Sequence, residues 1–158
     1  MSVAAAGYRV NFLVRAHGNQ WTGHLFDRLR RSSGVHVYGL NRLRRALQAL
    51  ERNEVVCMLA DEPTTQTVAV SGGRRPLAVA RGPFRIAYHT RSRVLPSFAV
   101  WERGTGQQKS ILEPAITVYR SGNEERDVVH AAREFGRVFE RYLRAHPDHW
   151  LLLQKHSG

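Results

Sequence analysis

The sequence predicts an α/β fold in which a mixed, mostly parallel sheet is flanked by helices. Three observations favour it. Stretches with strand-like and helix-like apolar spacing alternate along the chain. Residues 55–60 form a continuous apolar run of strand length, typical of a parallel strand covered on both faces. Glu124–Ala145 has the apolar periodicity of a long amphipathic helix. The length of 158 residues fits one α/β domain over residues 1–158.

The N-terminal part of the chain contains two strand–helix pairs and a third strand. Residues 8–14 and 35–38 have the composition of strands, and residues 21–31 have a helical apolar stripe. A second helix is predicted over residues 41–52, with Asn41 as its N-cap. Four of its side chains are expected to face inward: Leu43, Ala46, Leu47 and Leu50.

The longest irregular segment spans residues 61–82 and contains one short predicted strand, Thr67–Val70. A loop of this length within a compact domain is usually functional. After this segment the sequence predicts a helix at 84–90, preceded by Pro83, and then strands at 94–101 and 110–119. The long helix Glu124–Ala145 follows, and an apolar segment at 150–153 comes last.

The net charge of +11 comes from 24 basic and 13 acidic residues, and only Lys109 and Lys155 are lysines. Such a surface favours anionic partners: lipid headgroups, phosphorylated substrates, acyl carriers or nucleic acid. The arginine bias is equally compatible with genomic base composition. The single cysteine, Cys57, lies in an apolar strand and is expected to be an inert, buried thiol. Histidines and cysteine do not cluster with metal-ligand spacing, so no metal site is expected.

Several short motifs occur in one order along the chain. They are VCMLADEP at 56–63, GRRPL at 73–77, GPFRIA at 82–87, SRVLPSF at 92–98 and HPDHWL at 146–151. Upstream stand Arg15, Asn19 and LFDRL at 25–29. Together they resemble the lysophospholipid acyltransferase-like family that includes the late acyltransferases of lipid A biosynthesis. The resemblance implies a fold like that of glycerol-3-phosphate acyltransferases, of which this chain would form the C-terminal portion.

The family's catalytic motif is a histidine followed by four residues and then Asp or Glu. None of the eight histidines here is followed in this way. The nearest imitation, His24 with Asp27, has the wrong spacing and fits two polar residues on a helix face. We therefore assign no catalytic residue, and we expect an N-terminally truncated product or a stand-alone degenerate protein.

Three residues are candidates for substrate binding. Asp61 leaves the carboxyl end of a predicted strand, where ligands bind in open α/β sheets. The resemblance implies that Arg75 grips a phosphate or carboxylate of the acceptor and that Arg15 is a second anion contact. Equally compatible are a turn-capping role for Asp61 and a solvated loop position for Arg75.

The resemblance implies transfer of an acyl group from a thioester of acyl carrier protein or coenzyme A to a hydroxyl of a lipid or sugar-lipid, without metal or cofactor. Anionic lipid or a membrane surface is the expected partner, acyl carrier protein is possible, and nucleic acid is not expected. We expect no signal peptide, because residues 1–7 are short and uncharged, and no transmembrane helix, because no apolar stretch approaches about 20 residues. We expect peripheral attachment to the cytoplasmic face of the bacterial inner membrane. The alternative is a non-catalytic basic binding module.

Overall fold

The computed structural model describes residues 7–14, 35–61, 66–70, 77–102, 104–147 and 149. The predicted helix at 21–31, the segment at 150–153 and the His24–Asp27 pair lie outside these residues. The chain divides into two compact units, residues 1–59 and 60–158. The elements are β1 (Val10–Val14), β2 (Val35–Gly39), α1 (Leu43–Glu51), β3 (Val55–Cys57), β4 (Thr67–Val70), β5 (Leu77–Ala80), α2 (Gly82–Thr90), β6 (Ser97–Trp101), β7 (Gln108–Leu112) and α3 (Glu124–Ala145).

The first unit is built on a three-stranded parallel sheet with the order β2-β1-β3. Val10 of the central strand pairs with Val35 on one side and Val55 on the other. Parallel strands need a crossover, and α1 supplies the one between β2 and β3 while contacting all three strands. Ala46 and Ala49 of α1 are fully buried, so small side chains let this helix approach its surroundings closely.

A buried polar group joins β1 to the residue that precedes β3. Asn11 has no exposed surface, and its Nδ2 donates to Glu54 Oε2 at 3.0 Å and to the Val55 carbonyl at 3.2 Å. Arg52 Nε donates to Glu54 Oε1 at 2.8 Å. The hydrogen bonds from Arg52 and Asn11 lower the pKa of Glu54 from 4.5 to about 2. Glu54 is therefore held ionised, and it fixes the start of β3 beside β1.

Three expectations about this unit are wrong. Asn41 is not an N-cap, because Leu40–Arg42 forms a 3-10 turn and α1 begins at Leu43 without a side-chain cap. Leu43 is 40% exposed, since Ala46 and Ala49 define the inward face instead. The run at 55–60 is not covered on both faces: β3 is a half-buried edge of the described sheet. Cys57 within it is half-buried, and burial raises the pKa of its thiol.

The second unit contains two antiparallel hairpins, β4–β5 and β6–β7. Val68 pairs with Val79 in the first, and Phe98 pairs with Ile111 in the second. Helix α2 begins at Gly82, two residues before the predicted Phe84, with Pro83 in its first turn, and it ends at Thr90 as the sequence predicted. The strand expected at 94–101 is shorter, and Val94 instead forms an isolated bridge with Ile116.

Helix α3 organises the core of this unit. Its buried side chains pack with residues of the β4–β5 hairpin, α2 and the segment after β7, including Phe84, Val79, Val70 and Ile116. Phe98 of β6 stacks on Tyr142 with ring centroids 3.9 Å apart. Gly136 lies so close to β4 that a β-carbon there would stand 2.5 Å from Val70 Cβ. Only glycine permits this approach of helix to strand.

The fold class is thus α/β with a mixture of parallel and antiparallel pairing. The strand expectations for the second unit need correction in two places. Leu77–Ala80 is a strand, although the sequence indicated an irregular loop there, and β7 covers Gln108–Leu112 rather than residues 110–119. Within the described residues the parallel sheet has three strands and the hairpins four, so the pairing is not mostly parallel. The single-domain assignment stays a prediction.

Replacing Gly136 by alanine tests the α3–β4 contact. The new methyl group meets a strand side chain at its β-carbon, which cannot turn away. We expect a loss of about 1–2 kcal/mol in the free energy of unfolding, because overpacking outweighs alanine's helix preference. Urea denaturation followed by circular dichroism measures it. Arg137→Ala, one residue along on the exposed face, should change stability by less than about 0.5 kcal/mol. Equal stability of Gly136→Ala and the parent chain would contradict the packing described.

Candidate functional site

Of the three sequence-predicted site residues, Asp61 alone lies within the described residues. It is half-buried and already takes part in an interaction. The turn that carries it is fixed by the backbone, because Ala80 N donates to the Ala60 carbonyl at 2.7 Å. Arg81 N donates to the Gln66 carbonyl at 3.1 Å, which closes the same region. Arg15 and Arg75 lie outside the described residues, so their association with Asp61 stays a prediction.

The acidic turn leads through β5 to a group of charged side chains that the sequence did not single out. Arg81, immediately before α2, pairs with Glu125. Arg85 Nε donates to Glu124 Oε1 at 2.9 Å, and His89 Nε2 lies 3.3 Å from the same oxygen. These pairs, which we call the α2–α3 clasp, join one face of α2 to the first turn of α3. The sequence signal was present but ambiguous, since acidic residues in a first turn also complement the helix dipole.

The electrostatics of the clasp are dominated by Glu124. Its pKa is lowered mainly by the hydrogen bond from Arg85, against the opposing effect of burial, with a further contribution from His89. The Arg81 Nε atom is buried and has no hydrogen-bond partner among the described residues. Arg81 therefore brings an unsatisfied hydrogen-bond donor into the clasp, at the position just before α2 begins.

The His89–Glu124 pair has the imidazole and carboxylate of a general base, but it lacks the burial and the undivided carboxylate that a general base needs. Both side chains are substantially exposed, at 56% and 34%, so water screens their interaction. Glu124 is also shared with Arg85, which restricts its ability to orient an imidazole. The pair therefore acts as part of a structural ion-pair network. Among the described residues, no group of three or more His, Cys, Asp or Glu side chains is placed to hold a metal ion.

A surface pocket of about 450 Å³ lies beside the N-terminal half of α3. It is lined by Tyr119, Arg120, Ser121, Arg126, Asp127 and His130. The buried Asp127 carboxylate accepts from Ser121 N at 2.7 Å and from Ser121 Oγ at 2.9 Å. Both oxygens of the Asp127 carboxylate therefore already accept hydrogen bonds from Ser121. The remaining groups that line the pocket are Arg126, Arg120, which lies over the Tyr88 ring, and His130, which packs against the exposed Tyr119.

The family assignment comes from sequence comparison. The family model described as bacterial lipid A biosynthesis acyltransferase matches residues 3–156. A mixed α/β chain with this match is a lipid acyltransferase-like protein. It belongs to the lipid A biosynthesis acyltransferase family, which confirms the resemblance seen in its motifs. Comparison with curated proteins gives no match. Within the described residues, none of the helices combines the length and apolar character needed to cross a bilayer.

Replacing Arg85 by glutamine tests the clasp. The pKa of Glu124 is lowered from its ordinary 4.5, so its ion pair stabilises the folded state above that pH and is lost on acidification. We expect Arg85→Gln to lower Tm by about 1–5 °C at pH 7, with the difference shrinking towards pH 3. Differential scanning calorimetry measures both. Arg93→Gln, exposed and without an ion pair among the described residues, is the matched control. A Tm difference independent of pH would mean that Arg85 acts through packing.

Proposed function

We propose that this chain is an acyltransferase-like protein of lipid A or related glycolipid biosynthesis. It would serve the transfer of a fatty acyl group from a thioester of acyl carrier protein or coenzyme A to a hydroxyl of a lipid or sugar-lipid. The observation that carries the proposal is the family match over residues 3–156. The ordered motifs around Asp61 and at the start of α2 support it. We further propose a fold like that of glycerol-3-phosphate acyltransferases.

The reaction proposed for the family needs a base. The acceptor hydroxyl loses its proton to an imidazole, its oxygen bonds to the thioester carbonyl carbon, and the carbon–sulfur bond breaks. The departing thiolate takes up the proton, and an ester remains. The sequence of this chain has no histidine with the family's carboxylate partner. We therefore propose that these 158 residues contribute substrate contacts and scaffold, and that alone they do not transfer acyl groups.

The proposed substrate contacts are Asp61, Arg75 and Arg15. Arginine side chains bind phosphate or carboxylate with two parallel hydrogen bonds, which suits an anionic acceptor. Asp61 follows β3 in the sequence, and the residue before it, Ala60, is held by a backbone hydrogen bond from Ala80. The role of Asp61 in the proposal is to orient an acceptor hydroxyl or one of the arginines.

The second candidate function, binding without chemistry, is favoured by one surface of the first unit. Leu40 and Leu43 are 47% and 40% exposed, and the arginines beside them are Arg42, Arg44 and Arg45. No acidic residue stands in the first turn of α1. Exposed leucines among arginines suit an anionic membrane surface, where each arginine contributes on the order of 1 kcal/mol. We propose that this α1 patch attaches the chain peripherally to the cytoplasmic face of the inner membrane.

The first prediction concerns activity. The purified 158-residue chain should give no acylated product with acyl carrier protein or coenzyme A thioesters and a glycolipid acceptor, because it carries no His-x4-Asp/Glu base. Mass spectrometry of the acceptor detects a single added acyl chain. An active family member in the same mixture is the positive control. Product formed by this chain, and lost on substitution of one of its own histidines, would contradict the prediction and reveal a different base.

The second prediction concerns the α1 patch. The double substitution Leu40→Ser with Leu43→Ser should reduce co-sedimentation with vesicles containing phosphatidylglycerol by about fivefold or more, since it removes apolar area that enters the interface. Replacing Leu95 and Leu112 of the second unit by serine is the matched control, because both are at least as exposed, at 54% and 52%. Binding to neutral phosphatidylcholine vesicles should be weak for every form. Equal loss in the control pair would contradict the assignment to this patch.

A further inference from the structure

A line of basic side chains runs along the outward face of α3. Arg126, His130, Arg133 and Arg137 are all exposed and follow one another at spacings of four, three and four residues. On an α-helix these positions fall within about 60° of arc and extend for about 16 Å. We call these four residues the α3 stripe. They lie opposite the face that carries Val128, Ala132 and Phe139 into the core.

The stripe lacks counter-charges. Arg141 and Arg144 continue the same line, but Arg141 Nη2 pairs with Glu113 at 2.7 Å and Arg144 Nη2 pairs with Glu140 at 2.7 Å. Within the part of the chain that the structure describes, no member of the stripe forms an ion pair. Glu134, half-buried beside the stripe, is not paired with it either. Like charges at helical neighbour positions destabilise a helix, so the stripe keeps a repulsion that an anionic partner would relieve.

The acids of the first turn of α3 are also unavailable to the stripe. Glu124 and Glu125 are bound by the α2–α3 clasp, and Asp127 is bound by Ser121. The pocket lined by Arg120, Arg126 and His130 opens at the N-terminal end of the stripe and adds one further arginine to it. The fold thus engages the first-turn carboxylates elsewhere and leaves the four stripe positions basic, with the half-buried Glu134 beside them.

The character of this surface selects the class of partner. None of the exposed large apolar side chains of the described residues lies on α3, whereas a membrane-bound helix needs them on its contact face. The stripe itself carries no Phe, Tyr or Trp, and the exposed Tyr119 packed edge-on against His130 is a single ring, whereas single-stranded nucleic acid is bound by several rings in series. A straight, purely basic line on a rigid helix suits the acidic face of another protein, with ion pairs setting orientation and association rate.

We propose that the α3 stripe is the docking surface for an acidic protein, namely the acyl carrier protein that bears the thioester. This proposal rests on the proposed function for the identity of the partner. The stripe positions the carrier and touches no reacting atom. It is separate from the α1 patch, which carries exposed leucines and suits lipid instead.

The test is a fluorescence-anisotropy titration of labelled acyl carrier protein with the full 158-residue chain. Arg133→Glu with Arg137→Glu should weaken binding by about tenfold or more, and each single substitution by about threefold. Replacing both arginines by lysine should change it by less than about twofold, because charge is retained. Arg93→Glu, exposed and unpaired among the described residues, is the single-charge control and should have little effect. Affinity should fall as salt rises.

Three results would overturn the proposal. They are absence of carrier binding at low salt, equal weakening by Arg93→Glu and Arg133→Glu, and stripe variants that keep carrier affinity but lose vesicle or oligonucleotide binding. Circular dichroism checks that each variant is folded. Because the readout is binding, it is independent of catalysis. Carrier binding that the stripe variants leave unchanged would overturn the stripe proposal and leave the proposed function in place.

Discussion

The close contact between Gly136 of α3 and Val70 of β4 is the constraint on which the second unit depends. It sets how near the long helix lies to the β4–β5 hairpin, and the same helix supplies much of the core. With one face committed to packing, the first turn is free to pair with α2 and the outward face is left to solvent. Packing on one side of α3 therefore decides what the other side displays.

The placement of the carboxylates determines where positive charge remains on the surface of the chain. Glu54 is held by Asn11 and Arg52, Glu113 by Tyr142 and Arg141, and Asp127 by Ser121. In the two glutamates the bonds lower the pKa of the carboxyl, so both stay ionised while they fasten one element to another. Because structural contacts occupy these acids, Arg44 and Arg45 of α1 and Arg133 and Arg137 of α3 form no ion pair within the described residues, whereas Arg141 and Arg144 do. The basic composition suggested only that partners are anionic, whereas the structure places the unpaired arginines on the α1 patch and the α3 stripe.

The sequence predicted an α/β class, α3 to the residue, and α2 to within two residues of its start, since helical periodicity and a proline near the helix start are local signals. The sequence-based prediction failed where contacts between distant parts of the chain determine the local structure. Leu77–Ala80 becomes a strand by pairing with β4, and Leu43 is exposed because two alanines form the inward face of α1. Of the candidate site, Asp61 was predicted from its position after a strand, and its role in substrate binding stays a prediction. The clasp was not predicted, because residues 85 and 124 are brought together only by the fold.

Cys57 has a consequence of a different kind. It is the sole thiol of the chain, half-buried on an edge strand that pairs over three residues. Thiol-specific reagents need the thiolate, and burial, which raises the pKa of the Cys57 thiol, slows labelling while the strand is folded. The rate at which Cys57 is labelled therefore reports how often the parallel sheet opens locally. No cysteine elsewhere contributes to the signal, so local breathing of the first unit can be timed separately from unfolding of the second.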